Sequence, residues 1–431
     1  MYDRELVFEF YERLQGKRYA IKERDLKITP KKEFSIAVVG PRRAGKTFLL
    51  LDILFKNLER AVYFDFEHTA FEDVSHKDVF EIISLVNSRA EIVLLDEVQV
   101  VEGWNRLVRS LLDSNYKVVI SGSSSRLMSK EIATQLRGRS ISYVLLPLSF
   151  GEFLRFKEIS YGRISVTKKA EIIKLLEEYL MWGGYPGAVT REDRDEILRN
   201  YYTTILYRDF VERFELRSMD AARFIFEFCF QNFSREVSIR KILSFVNSRT
   251  GGNLKNVVYN YVDKLPETMS VFFVERYNKS VYLRKSWPRK VYVCDLGLST
   301  ILGFSEDIGR RMENTVFLEL LRKTNENPLL EIFYFQDSQR HEVDFVIKEG
   351  LKVRELIQVT YASSFDEVDH REIRALLKAK DLLKCEELKV ITWDYEDERD
   401  VSWFGRRGRI KFIPMWKWLL GFGRGFAAIN S

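Results

Sequence analysis

The sequence predicts an α/β protein with a parallel sheet in its N-terminal part, a helical middle and a second α/β segment at the C-terminal end. Three observations predict it. From about residue 34 to 150, short apolar runs alternate with amphipathic, helix-period runs, the pattern of a parallel sheet covered by helices. Gly40-Pro41-Arg42-Arg43-Ala44-Gly45-Lys46-Thr47 fits the G-x-x-x-x-G-K-[ST] phosphate loop. The rhythm breaks at Pro147-Leu148-Ser149-Phe150-Gly151-Glu152, becomes helical, and returns to mixed strand and helix beyond residue 291. At 431 residues the chain exceeds one ordinary core. We divide it into 1–150, 151–215, 216–290 and 291–431.

Residues 1–33 are charged and mixed, and lead into the first sheet. Its strands are expected at Ile36–Val39, Val62–Phe66, Ile92–Leu95, Lys117–Ile120 and Ile141–Leu146. The apolar run Ile36–Val39 precedes the phosphate loop and the helix-like run Phe48–Leu54 follows it, the strand–loop–helix setting the motif needs. In such a loop the glycines let successive backbone N–H groups face phosphate oxygens at a helix N-terminus. Lys46 is then the residue that reaches the β/γ-phosphates, and the Thr47 hydroxyl is a Mg2+ ligand. Arg42 and Arg43 lie inside the loop, placed for phosphate, a partner or water.

Ile92–Leu95 runs straight into Asp96-Glu97. A phosphate-loop ATPase needs an acid at the end of a neighbouring strand: Asp96 to hold Mg2+, Glu97 to polarise the attacking water. The next strand ends in Ser121-Gly122-Ser123-Ser124-Ser125, where Ser121 or Ser123 can touch the γ-phosphate or the water. Arg137 and Arg139 follow, candidates for an arginine that stabilises transferring phosphate from a neighbouring subunit.

Residues 151–215 read as helices, interrupted at Trp182-Gly183-Gly184-Tyr185-Pro186. Residues 216–290 read as three helices (Ala221–Phe230, Ser238–Phe245 and Leu254–Leu265, with a turn at 250–253) and two strands, Val271–Tyr277 and Ser280–Arg284. The third helix carries Lys255, Asn256, Tyr259 and Asn260 on faces that a groove-reading helix exposes. Beyond residue 291, strands are expected at Ile332–Phe335, Glu342–Ile347, Glu355–Thr360 and Leu388–Thr392. The aromatic stretch Ile413–Leu420 carries one lysine, which makes a poor membrane anchor, and is expected to pack onto the protein.

The bulk composition narrows the setting. Net charge is +6, a mild basic excess that permits nucleic-acid contact without demanding it. Cys229, Cys294 and Cys385 have neither metal nor redox spacing, and an odd count argues against a disulfide framework. The first residues do not resemble a signal peptide and no run of apolar residues is long enough to span a bilayer. A cytoplasmic protein with no membrane partner is the expectation.

Taken jointly, these motifs with Leu95-Asp96-Glu97-Val98-Gln99, Trp104, Leu136-Arg137-Gly138-Arg139, Gly183-Gly184-Tyr185-Pro186, Lys290-Val291-Tyr292-Val293-Cys294-Asp295, Glu313-Asn314-Thr315-Val316-Phe317 and Glu342-Val343-Asp344-Phe345 resemble the archaeal ATPase family. The resemblance spans nearly the whole chain. It implies an AAA+-like phosphate-loop ATPase domain, a winged-helix-like middle and a C-terminal domain with the restriction-endonuclease-like fold, in proteins thought to act on DNA. Basic residues Arg276, Lys279, Arg284, Arg289 and Lys290 on and beyond the hairpin would then meet phosphates.

For a restriction-type nuclease, Glu313 on a helix and Asp344 on a strand are the acids of a possible second metal site. By register, however, Gln358 takes the position of the next acid and Thr360 that of the lysine. Glu355 faces the other side of that strand, and Lys348 and Lys352 are the remaining candidates for the cation. The reading is therefore an ATPase using ATP and Mg2+, held by Gly40 to Thr47 with Asp96 and Glu97, assembled as a homo-oligomer with a hexameric ring as one form, and acting on DNA. An ATP-gated nuclease and a nucleotide-switched scaffold are the alternatives.

Overall fold

The computed structural model describes residues 2–16, 21–122, 136–162, 165–250 and 254–422. They form two compact units, residues 1–147 with 267–269, and residues 148–266 with 270–431. Ser123 and the glycines of the turn at 250–253 lie outside the described residues.

The first unit is built on five strands: β1 (Ser35–Val39), β2 (Ala61–Asp65), β3 (Ile92–Asp96), β4 (Lys117–Gly122) and β5 (Ser140–Val144), in the order β2-β3-β4-β1-β5. All pairings are parallel. The strands β1 to β4 are covered on both faces, which is why each is largely a continuous apolar run, whereas β5 at the sheet edge reads Ser140-Ile141-Ser142-Tyr143-Val144 and is mostly only partly buried. β1 and β3 are buried throughout. The register sets Asp65 beside Asp96, Leu95 beside Ile120 and Val39 beside both Gly122 and Val144, so the C-terminal ends of the strands share one edge. The helix Lys46–Lys56 buries Leu49, Leu50, Leu51, Ile53 and Leu54. The segment before the sheet, legible only as charged and mixed, holds a helix at Arg4–Gly16. Val7, Phe10 and Leu14, spaced for one helical face, are its buried residues, and Phe10 stacks on Tyr63 with centroids 6.1 Å apart.

The second unit begins with helices, among them Phe150–Phe156 and Val166–Trp182. The middle then runs helix Met219–Gln231, β6 (Arg235–Val237), helices Ile239–Thr250 and Lys255–Lys264, β7 (Val271–Val274) and β8 (Arg289–Val293). The three strands form an antiparallel sheet, β6-β8-β7. The strand expected at Ser280–Arg284 is instead the helix Val281–Ser286. Ser280 caps it, its side chain accepting from the Leu283 N–H, and the strand that pairs with β7 comes only at Arg289.

The C-terminal part carries β9 (Leu330–Gln336), β10 (Glu342–Glu349), β11 (Lys352–Val359), β12 (Leu388–Thr392), β13 (Asp397–Trp403) and β14 (Arg406–Pro414). Their order is β13-β14-β12-β11-β10-β9, with parallel β11/β12 and β12/β14 pairs in an otherwise antiparallel sheet. The β13/β14 hairpin adds two strands to the four expected, because a charged edge such as Asp397-Glu398-Arg399-Asp400 lacks the apolar signal of a central strand. Helix His370–Leu383 closes the core over this sheet, where Leu376 and Leu377 meet Val346, Leu356, Val390 and Phe412. The aromatic tail packs as expected: Met415, Trp416 and Trp418 are buried, and the Trp416 indole N–H donates to Asp394 Oδ1 at 3.2 Å. The architecture is the α/β class expected: a parallel N-terminal sheet, a helical middle and a mixed C-terminal sheet.

Candidate active site

At the shared edge of the first sheet the chain leaves β1, turns through residues 40–45 and enters the helix at Lys46. Gly40 has no room for a side chain: a Cβ there would lie 2.0 Å from the carbonyl oxygen of Leu145. Gly45 sits at φ 101°, a left-handed conformation that glycine adopts without steric cost. No side chain caps the helix that follows, so its first amides keep the anion-binding character of a helix N-terminus. Lys46 is buried, and its ammonium donates to the carbonyls of Gly40 and Pro41, each at 3.1 Å. Arg42 lies 3.9 Å from Glu67, and Arg43 holds φ 67° on the rim of the loop.

Three neighbouring strands converge on Asp96, which is 1% exposed. Tyr63 from β2 donates its hydroxyl to Oδ2 at 2.8 Å, and Ser121 from β4 donates to Oδ1. The Glu97 N–H reaches the same Oδ1 at 3.2 Å, and Thr47 adds a side-chain hydrogen bond from the loop helix. Burial raises the pKa of Asp96, and the Ser121 hydrogen bond works against the rise. Glu97 itself is held at φ 48°, uncommon for a residue with a side chain, by amide hydrogen bonds to Asp96 Oδ1 and to Ser121 Oγ at 3.3 Å. Its Oε2 accepts from Gln99 Nε2 at 2.6 Å. A hydroxyl and a carboxylate in contact beside a phosphate loop are hard oxygen donors of the kind Mg2+ takes, so Thr47 and Asp96 fit that ion.

Gly40 to Thr47, Asp96, Glu97 and Ser121 are therefore brought together. Arg137 and Arg139 are not. Ser140 pairs with Ser35 at the start of β1, and Arg139 precedes it, at the end of the sheet opposite the loop. There Arg139 pairs with Asp113 at 2.6 Å, while Arg137 is exposed at φ 53°. Sequence reasoning passed over three residues of this site: Tyr63, Gln99 and Arg24. Arg24 is buried and donates to the carbonyl of Ala44 at 2.7 Å and to that of Leu146 at 2.8 Å, tying the phosphate loop to the chain beyond β5. Arg24 stands in an ordinary charged segment and gave no signal; Gln99, two residues after Glu97, was within reach of a local reading.

Glu313 and Asp344 also meet, but around a cation. The buried Lys290 ammonium lies 2.9 Å from Glu313 Oε1, 2.9 Å from Asp344 Oδ1 and 2.5 Å from Glu342 Oε1. Burial alone would drive the Lys290 pKa down; Asp344 and Glu313 outweigh it and keep the ammonium charged. Tyr292 donates to Glu313 at 2.7 Å, and Gln358 Oε1 accepts from the Asp344 N–H at 3.3 Å, in the position register assigned it. Thr360 hydrogen-bonds Glu372, whose carboxyl is pushed up to about 8 by burial and by Asp344. Lys348 instead pairs with Glu331. Among the described residues, no group of three or more His, Cys, Asp or Glu side chains is arranged to hold a metal ion. Nor, among them, is any helix long and apolar enough to cross a membrane.

The AAA domain family matches residues 32–154, and two domains of unknown function, DUF8612 and DUF4143, match residues 173–307 and 308–418. Solved structures of the Thermotoga maritima RuvB Holliday junction branch migration motor and of a mutant of it align over 62% of this chain and 85% of theirs, at 14% identity. Their TM-scores are 0.25 and 0.29, a superposition too loose to carry an argument. An uncharacterized protein of Haemophilus influenzae is 28% identical over 90% of this chain and 94% of its own length. An uncharacterized protein of Methanocaldococcus jannaschii is 34% identical over 98% of this chain and 97% of its own length. With its phosphate loop inside the matched AAA domain and full-length identity to that archaeal protein, this chain belongs to the same family, a family of AAA-type phosphate-loop proteins.

Proposed function

We propose that this protein is a Mg2+-dependent ATPase whose second unit binds DNA. The observation that carries the reading is the convergence of Thr47, Asp96, Ser121 and Glu97 beside the loop. In this reading the loop amides and the Lys46 ammonium, released from the Gly40 and Pro41 carbonyls, bind the β/γ-phosphate oxygens. Thr47 and Asp96 would hold Mg2+, which would supply positive charge against the phosphates. Ser121 and Tyr63 hold the Asp96 carboxylate in place. Glu97 takes a proton from the attacking water once Gln99 releases it. Arg137 or Arg139 stabilises the transferring group from a neighbouring copy, which makes the active form a homo-oligomer.

For DNA, the support is the helix Lys255–Lys264. It buries Val258, Tyr261 and Val262 and leaves Lys255, Asn256, Tyr259 and Asn260 exposed, the division a groove-reading helix needs. We read Glu313 and Asp344 as an ion-paired fastening between β8 and the C-terminal sheet, with Lys290 in the space a nuclease would give to metal.

Phosphate release assays on Lys46→Ala and Glu97→Gln test the catalytic assignment. Lys46→Ala is expected to abolish turnover. Glu97→Gln is expected to bind ATP while turnover falls on the order of 10²–10⁴-fold, the usual share of a general base. Wild-type turnover in either variant would refute the site.

A further inference from the structure

The helix Val281–Ser286, between β7 and β8, buries none of its own residues. A helix this short does not persist in water by itself, and the structure shows what fastens it. Ahead of it, Arg276 donates from Nη2 to the Gln336 carbonyl at 2.5 Å and stacks 4.1 Å from the Trp287 ring. Behind it, Tyr334 donates to the Pro288 carbonyl at 2.7 Å. From the helix itself, the Arg284 guanidinium lies 5.2 Å over the Phe333 ring and 3.9 Å from Glu275. The segment is thus pinned at both ends to β9, and its middle faces outward: Val281 is 53% exposed, Tyr282 80% and Leu283 39%. Lys279 and Lys285 flank this face and are exposed as well. Of the cations between Arg276 and Cys294, Lys279 and Lys285 are exposed beside this helix, while Arg284 lies near Glu275 and Lys290 is buried among Glu313, Glu342 and Asp344.

We propose that this pinned helix is a contact site for unpaired nucleotides, with the Tyr282 ring stacking on a base and Lys279 and Lys285 meeting the flanking phosphates. The proposal rests on the reading of the second unit as a DNA-binding module. Charge selects the occupant. An apolar protein surface would use Val281, Tyr282 and Leu283 and leave the cations idle, whereas a nucleic acid uses both. The exposed ring selects unpaired over duplex strands, because duplex bases hide their faces in the stack while single strands offer them to aromatic side chains.

The test is fluorescence anisotropy of labelled single-stranded, duplex and forked DNA across a salt series, on the full-length protein. Tyr282→Ala is expected to weaken single-stranded and forked substrates roughly tenfold, the usual scale for one lost base stack, and to leave duplex unchanged. Tyr282→Phe should retain wild-type affinity. Lys279→Ala and Lys285→Ala should each lower the slope of log affinity against log salt by about one. A fluorescent adenine analogue in the strand should be quenched by wild type and Tyr282→Phe but not by Tyr282→Ala, a readout that a merely structural role would not move. Wild-type DNA binding unaffected by Tyr282→Ala would overturn the contact while leaving the DNA reading in place. No binding of any DNA at about 50 mM salt, where phosphate contacts are strong, would overturn both. Self-association that Tyr282→Ala abolishes, without DNA binding, would also overturn it and assign the face to protein.

Discussion

Lys290→Met tests whether the acids of the C-terminal unit form a fastening. The substitution keeps the length of the side chain and removes its charge. It deletes an ammonium within 2.9 Å of Glu313 and Asp344 and 2.5 Å of Glu342. Removing one partner of a buried ion pair leaves the other charge uncompensated, at a cost of about 3–5 kcal/mol. For a unit of this size each kcal/mol moves the melting temperature by about 2–4 °C, so a fall of roughly 6–20 °C is expected. The pH dependence has a definite sign. The Glu313 carboxyl is already raised, first by burial and then by Asp344, and loss of Lys290 raises it further. An acid with its folded pKa above its unfolded value, about 4, contributes stability that is present at low pH and lost as pH rises through the folded pKa. The Glu313 carboxyl of the wild type is pushed up to about 8 and the variant's lies higher, so the gap between them should widen from pH 7 to pH 9, where only the wild-type group ionises. Calorimetry at both pH values measures it, with Lys290→Met/Glu313→Gln as a partial rescue. A melting temperature within about 2 °C of wild type, or a gap that narrows with pH, would refute the argument.

Arg24→Ala should raise the KM for ATP several-fold with kcat nearly retained, since it removes two buried charge-assisted hydrogen bonds, worth about 1.5–3 kcal/mol each, that position the loop; steady-state phosphate release separates the two constants. Gly40→Ala drives a methyl into the Leu145 carbonyl and should lower both the melting temperature and nucleotide affinity, seen by thermal shift with and without ATP. Tyr63→Phe should raise the Mg2+ concentration needed for half-maximal turnover without abolishing it, because Asp96 loses one donor and keeps Ser121; a Mg2+ titration of the rate is the check.

What could be read without coordinates was local. Strands β1 to β4 of the first sheet announce themselves as apolar runs, and the phosphate loop, Asp96-Glu97 and Ser121 stand at strand ends that the pattern already marks. Gln358 lies beside Asp344 because the β10/β11 register sets Phe345 opposite Ile357, a pairing that the strand period by itself does not fix. The exposed set Lys255, Asn256, Tyr259 and Asn260 follows from helical spacing. What escaped depends on partners distant in sequence. Arg24 reaches a carbonyl 122 residues on, and Lys290 reaches acids 23 and 54 residues on. A lysine in Arg289-Lys290 reads as solvated until the fold removes its water. The helix at Val281–Ser286 escaped for a different reason. Its residues suit a strand, and the fastening through Arg276, Trp287 and Tyr334, not their own propensity, settles the matter.

The placement of Arg139 has a consequence for the rate law. β5 runs five residues, about 16 Å at the usual rise, between the arginine and the phosphate-loop end of the sheet. If Arg139 has the role proposed for it, it acts on a neighbour's loop and not on its own, so the rate would follow the fraction of protein that is assembled. Activity per molecule would then fall on dilution, and equal amounts of Arg137→Ala/Arg139→Ala and Lys46→Ala subunits, each inactive alone, would recover turnover when mixed.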